Sequence, residues 1–323
     1  MDHIELTRRE ELEASLAACL RERRMPDHFL YLDTAGTDSW LELDGAADFP
    51  VASDLTCLLE TSLPRLIPHL PHHFNLVSIG VGSGEKERLI TEAARTAGHQ
   101  PRYLAVDISR EMVSAALATV ADIEIEKVGV VAFLEDLPRL RHLWEGPVLL
   151  CLLGNNFCNY EPDALLALIA GELEPGDRLL FDCQILPDGT DLTESLARIE
   201  RAYRCPANAR FNANPLVRRG LAPHGYAFHL ELVPIMTTMG ITYRTRKWLE
   251  ITRDSAVDCD GQRIEFQSGE VIHLGFTYKY TAGQVSGYLG SHGFREVESF
   301  ASGDGGNLLV LAEATTEGKG GPR

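Results

Sequence analysis

The chain of 323 residues carries 30 basic against 47 acidic side chains, a net charge of −17 that disfavours nucleic acid as a partner. No run of about eighteen apolar residues exists to span a membrane, and the charged opening, Met1-Asp-His-Ile-Glu-Leu-Thr-Arg-Arg-Glu10, holds no apolar signal core. Seven cysteines are scattered without a C-x-x-C pair and the eleven histidines show no ligand spacing, so reduced thiols in a cytoplasmic protein are expected, with no zinc site, no disulfide frame and no bound metal.

Residues 4–22 read as an amphipathic helix in which Leu6, Leu12, Leu16 and Leu20 recur among Arg and Glu. Residues 25–50 hold glycines, aspartates and aromatics without a clean period, as a structured cap would, and residues 53–70 are helical again. The first sheet strand is expected from Asn75. It runs into Leu76-Val-Ser-Ile-Gly80-Val-Gly82-Ser-Gly84-Glu-Lys86, an apolar run that stops at three alternate glycines. Glu85, Leu89, Ile90, Ala93 and Ala94 then recur with helical spacing. A second apolar run ends on Asp107, and Ser109 caps a helix over 112–119. A third strand spans 128–133, and a fourth, 148–153, runs into Gly154-Asn-Asn-Phe-Cys-Asn159. After a helix over 161–173 comes a fifth strand, 178–186. Each strand is almost wholly apolar, as strands covered on both faces must be.

The alternation then breaks. Residues 190–220 read as helical, and 226–280 alternate apolar and polar residues, the pattern of an antiparallel meander with one wet face. A helix (283–292), a strand (294–300), the turn Ser302-Gly-Asp-Gly-Gly306 and a last strand (307–312) close the chain. The predicted fold class is α/β, a Rossmann-like doubly wound sheet over 71–190 and 281–315, closed by the hairpin usual in class I methyltransferases. An N-terminal helical cap or lid occupies 1–70, an inserted α+β substrate-binding domain 191–280, and a disordered tail 316–323.

The glycines carry the chemistry. Without Cβ atoms they let the backbone turn sharply and approach a ligand, and Asp107 stands where an acid accepts hydrogen bonds from both hydroxyls of a ribose. Dinucleotide dehydrogenases read G-x-G-x-x-G, whereas this chain reads G-x-G-x-G followed by Glu85 and Lys86. An anionic Glu85 at the helix start repels a pyrophosphate, while a sulfonium amino acid needs no phosphate cradle. S-adenosylmethionine is therefore the expected cofactor, ahead of NAD. The plainer possibility is that the glycines serve only a tight turn. Ser78 stands where methyltransferases often carry an acid.

Ile79-Gly-Val-Gly-Ser-Gly-Glu-Lys86, Val106-Asp-Ile-Ser109, Leu153-Gly-Asn-Asn-Phe-Cys-Asn159, Phe211-Asn-Ala-Asn214, Gly269-Glu-Val-Ile272 and Tyr278-Lys-Tyr280 together resemble the histidine-specific methyltransferase family, over roughly residues 20–315. Asp33-x-x-Gly36 and Phe49-Pro50 match that family's substrate cap more weakly. The resemblance implies that Gly80, Gly82, Gly84 and Lys86 surround the methionine end of the cofactor, Lys86 pairing with its carboxylate. Asp107 would hold the ribose, Phe133 would flank the adenine, and Gly154, Asn155 and Asn156 would line the methionine moiety. Asn159 and Tyr203 would orient the acceptor without an assured general base, and Phe49, Phe211, Gly275 and Thr277 would complete its pocket. Exposed-lysine, packed-tyrosine and core-asparagine readings stand beside these roles.

Three departures shape the functional expectation. Ala132 replaces an aspartate usual beside the adenine. Gly275 and Thr277 stand where the histidine enzymes place a glutamate and a serine against the imidazole, and Asp48-Phe49 replaces paired tyrosines. A site that loses a partner for a ring N–H loses discrimination. The expected function is therefore S-adenosylmethionine-dependent methylation of a small amino acid or amine-like, possibly aromatic, metabolite other than histidine, by a monomer or homodimer. L-histidine Nα-methylation and a non-catalytic cofactor-binding module are the alternatives; a nicotinamide dehydrogenase would need a catalytic pair that the chain does not offer.

Overall fold

In the computed structural model, residues 3–49, 51–187 and 192–316 are described. Pro50, the boundary at 190/191 and the tail from 317 lie outside them. The chain begins with β1 (Ile4–Glu5), α1 (Arg9–Arg21), β2 (Arg24–Met25), α2 (Thr34–Asp44) and α3 (Val51–Leu66). Next come β3 (His73–Ile79), α4 (Glu85–Thr96), β4 (Gln100–Asp107), α5 (Arg110–Thr119), β5 (Lys127–Val131), α6 (Leu137–Leu140), β6 (Val148–Leu152), α7 (Pro162–Glu172) and β7 (Arg178–Gln184). Helices α8 (Leu192–Tyr203) and α9 (Pro206–Val217) lead into β8 (Tyr226–Thr237), β9 (Gly240–Ile251), β10 (Ser255–Cys259), β11 (Gln262–Phe266), β12 (Val271–Leu274) and β13 (Tyr278–Lys279). The chain closes with α10 (Ala282–Ser291), β14 (Phe294–Ala301) and β15 (Asn307–Ala314).

Eight strands form the central sheet in the order β1-β5-β4-β3-β6-β7-β15-β14. The first six are mutually parallel, and β15 and β14 add an antiparallel edge. Side chains alternate between its two faces with the strand period of two. Val77, Leu104 and Leu150 join one buried cluster with α7 and α10, while Leu76, Tyr103 and Leu149 join another under α3, α4 and α5. Covering both faces this way explains the unbroken apolar runs. Helix starts follow local chemistry: the Ser109 hydroxyl accepts the Met112 N–H at 3.3 Å, and Thr281 and Gln284 form a reciprocal capping box on α10.

The N-terminus departs from the expected uninterrupted helix. Ile4 and Glu5 pair in parallel with β5, and the helix begins only at Arg9. An open sheet edge offers those residues backbone partners that an isolated helical turn lacks. The described residues before 70 also divide among separate cores. Helix α3 packs on the central sheet through Leu58, Leu59 and Leu63, whereas Leu16, Leu20 and Phe29 share a core with Phe211, Leu249 and Ile272. Strand β2 completes the second sheet by pairing in parallel with β12, Leu274 opposite Met25. The cap and the 191–280 segment therefore build one sheet, in which β9 pairs with β8, β12 and β13.

Gly84 shows how tightly α4 and α5 meet. It caps α4 with φ +78°, and a Cβ there would lie 2.7 Å from the Ala116 Cα. Gly84→Val is expected to destabilise the fold by at least about 1–3 kcal/mol, the usual cost of overpacking, with left-handed strain added. Thermal unfolding checks this; an unchanged midpoint would contradict the close packing.

Candidate active site

A cavity of about 640 Å³ opens beyond the carboxyl ends of β3, β4, β5 and β6, the place where doubly wound sheets bind ligands. Its far wall is the 3₁₀ turn over Asp27–Tyr31, Trp40 from α2, and Gly275-Phe276 after β12. Gly80 and Gly82 both adopt positive φ at its floor. A Cβ on Gly80 would collide with the Asn156 amide, which donates to the Ile79 carbonyl at 2.8 Å. A Cβ on Gly82 would stand 2.8 Å from the Trp40 ring. The turn is therefore gripped from both sides and has no space for side chains.

Asp107 is buried at the cavity edge and accepts the Ser109 N–H at 2.9 Å. Burial pushes its carboxyl up to about 6, against the pull of backbone N–H groups of Ser109, Gly82, Ile108 and Val81. Lys86 lines the cavity beside Gly154, its Nζ 3.6 Å from where a Cβ on that glycine would be. Among the described residues no carboxylate forms an ion pair with it. A cavity-lining ammonium, a buried carboxylate at a strand end and a turn without side chains fit S-adenosylmethionine.

Three cavity acids in this part of the site escape a reading of the strand motifs. Ser78, at the position where an acid is usual, donates at 2.6 Å to Glu87, which is 2% exposed and reaches the cavity from α4. Burial raises the Glu87 pKa, while Ser78 and Lys86 oppose the rise. The hydroxyl at 78 was the available signal, because a buried hydroxyl needs a partner. After β5 Ala132 offers no acid, but Glu135 and Asp136 line the cavity, and Asp136 accepts the Phe133 N–H at 3.2 Å. Phe133 faces the cavity with His28 edge-on at 5.3 Å.

Of the expected residues, Gly80, Gly82, Lys86, Asp107 and Phe133 line the cavity, as do Gly154, Asn156, Asn159 and Gly275. Gly84 faces α5 instead. Asn155, Tyr203 and Thr277 form a buried layer behind the wall: Asn155 Nδ2 donates to Thr277 Oγ1 at 3.2 Å and to Tyr203 Oη at 3.4 Å. Lys279, fully buried, donates to the same Tyr203 oxygen at 2.9 Å. Phe49 packs edge-on against Tyr203 and Phe211 against Tyr31, outside the lining. These groups therefore brace the wall. Asn159 lines the cavity, and its side chain makes no hydrogen bond to any described residue.

Gly275 brings a correction. Its missing side chain was expected to leave the acceptor pocket without a carboxylate, yet a Cβ there would overlap the Asp27 carboxyl group. The carboxylate is present, from another element. Lys247 Nζ holds its two oxygens at 3.1 and 3.3 Å.

A parallel doubly wound sheet with a closing hairpin, a glycine turn, an acid after the next strand and a cavity at their carboxyl ends define a class I S-adenosylmethionine-dependent methyltransferase fold. The family described as "Histidine-specific methyltransferase, SAM-dependent" matches residues 9–314, and the chain belongs to it. Similar proteins include a histidine N-alpha-methyltransferase of Mycolicibacterium smegmatis, 26% identical over 94% of each chain. Another, from Mycobacterium tuberculosis, is 35% identical over 44% of each. Among solved structures, a putative methyltransferase from Thermobifida fusca matches at a TM-score of 0.45 and 10% identity, over 88% of this chain and 90% of that one. The protein is thus a methyltransferase that uses S-adenosylmethionine. Among the described residues, no helix is long and apolar enough to cross a membrane.

Cofactor affinity is expected to depend on pH through Asp107. Ribose hydroxyls would donate to its ionised form, so binding would lower the carboxyl pKa and release a proton; affinity should be full above about 6 and fall as pH drops below it. Calorimetry with S-adenosylhomocysteine from about pH 5 to about pH 8 reads this linkage. Asp107→Asn should flatten the profile and weaken binding at neutral pH, whereas a flat wild-type profile would contradict the assignment.

Proposed function

We propose that the enzyme methylates the α-amino nitrogen of a small free amino acid and that L-histidine is its first candidate acceptor. The observation that carries this reading is the single cavity that joins Lys86 and Asp107 to Asn159 and the Asp27 carboxylate. The names of the relatives, both histidine N-alpha-methyltransferases, support it. With a carboxylate in place beside Gly275, the main ground for expecting an acceptor other than histidine falls away. The proposed setting is the cytoplasm, where scattered thiols stay reduced.

The chemistry that bound S-adenosylmethionine supplies is an electrophilic methyl group on a sulfonium. Charge shrinks on the way to the transition state, so the protein's work is alignment and exclusion of water. Lys86 and Asp107 would fix the two ends of the cofactor, the Asn159 amide would orient the amino acid, and Trp40 and Tyr31 would shield the cavity from solvent. The acceptor amine must be neutral to react; its proton can leave to water, so no residue is assigned as base.

Incubation with S-adenosylmethionine and the common L-amino acids, followed by mass spectrometry, tests the proposal. Methylation of L-histidine on its α-nitrogen is expected. Efficient turnover of a different acceptor with histidine untouched would contradict it. Asn159→Ala should raise the acceptor KM by about tenfold or more, since hydrogen bonds to a charged group are worth about 1.5–3 kcal/mol, while cofactor affinity changes little.

A further inference from the structure

Asp27 reaches the site through strand pairing. Met25 lies opposite Leu274 in the parallel β2–β12 pair, and both chains continue into the cavity wall, where residues 26–28 face residues 275 and 276. The antiparallel β9–β12 register, with Trp248 opposite His273, sets Lys247 on the neighbouring strand beside the same point. The volume that a side chain at 275 would occupy is filled by the Asp27 carboxyl group. Three elements far apart in sequence thus converge on one carboxylate.

The two charges are unequally placed. The Lys247 side chain is 9% exposed and lies outside the cavity lining, whereas that of Asp27 is 25% exposed and lines it. Lysine at such burial requires a charged partner, and both Asp27 oxygens supply one. An ionised carboxylate has about four lone-pair sites, so acceptor capacity remains on the side turned to the cavity. Because Lys247 already balances the charge, that capacity suits a neutral N–H donor better than a second full cation.

Resting on the amino-acid reading above, we infer that Asp27, held in place by Lys247, is the specificity residue that reads an N–H group on the acceptor's side chain. The acceptor class is an α-amino acid with a heteroaromatic N–H, such as an imidazole or an indole. Gly275 is then part of the device, since it makes room for a carboxylate delivered from the cap.

Four variants test this by calorimetry in the presence of S-adenosylhomocysteine, with L-histidine and L-phenylalanine as probes: Asp27→Asn; Asp27→Ala with Lys247→Met, which leaves no buried lysine unpaired; Gly275→Glu; and Asp27→Gly with Gly275→Glu. Asp27→Asn and the Asp27→Ala, Lys247→Met pair should weaken L-histidine tenfold or more and abolish its preference over L-phenylalanine, with S-adenosylhomocysteine affinity held within twofold as the check on folding. Gly275→Glu alone should weaken histidine by evicting Asp27, and the Asp27→Gly, Gly275→Glu pair should recover it, a rescue that a merely structural ion pair would not produce. Unchanged histidine preference in the Asp27 variants, or no recovery in the pair, overturns the inference while the amino-acid reading stands. A folded wild-type protein that methylates only amino acids without a side-chain N–H overturns the inference alone, and one that methylates no free amino acid overturns both.

Discussion

Three positions without side chains hold the parts of this enzyme together, and each is met by a different element. Asn156, after β6, closes on Gly80; Trp40, from the cap, rests on Gly82; Ala116, from α5, lies against Gly84. The backbone can follow this path because all three glycines take positive φ, a region that L side chains enter at a cost of roughly 1–2 kcal/mol each. The turn thereby does more than leave room for a cofactor. It fixes where α4 starts, how α4 meets α5, and where the cap comes to rest over the crevice, so the distance between Lys86 and Asp107 is set by packing on all sides.

The rest of the cavity wall is built differently. Nothing there is local in sequence: Asp27 comes from the cap, Lys247 from β9, Gly275 from the end of β12 and Asn159 from the turn after β6. Behind it, Asn155, Tyr203, Thr277 and Lys279 share one buried hydrogen-bond network. A satisfied buried network of this kind rigidifies the wall it supports. The cavity therefore depends on two separate structural devices, the glycine turn and the buried hydrogen-bond network.

That difference explains what the sequence makes legible. The sheet, its glycine turn, Asp107 and the closing hairpin follow from apolar runs, glycine spacing and helix periodicity, all short-range signals. The edge strand Ile4–Glu5 does not, because two residues carry no period and their pairing partner is over a hundred residues away. Glu87 and Asp27 escape for a related reason. Each places a carboxylate at a point that a single motif leaves without one, opposite Ser78 and beside Gly275, and only tertiary register reveals the exchange. Tyr203 and Thr277 are found by resemblance, yet their hydroxyls point into the buried layer, a distinction of side-chain direction that residue spacing cannot carry.

The most direct measurement of the central claim is a crystal structure of the full chain with S-adenosylhomocysteine and L-histidine bound. The account predicts the ribose hydroxyls on Asp107, the homocysteine carboxylate on Lys86, the histidine amino group turned toward the sulfur beside Asn159, and the imidazole N–H on Asp27. A ribose bound away from Asp107, or an imidazole turned from Asp27 toward another wall of the cavity, would contradict it.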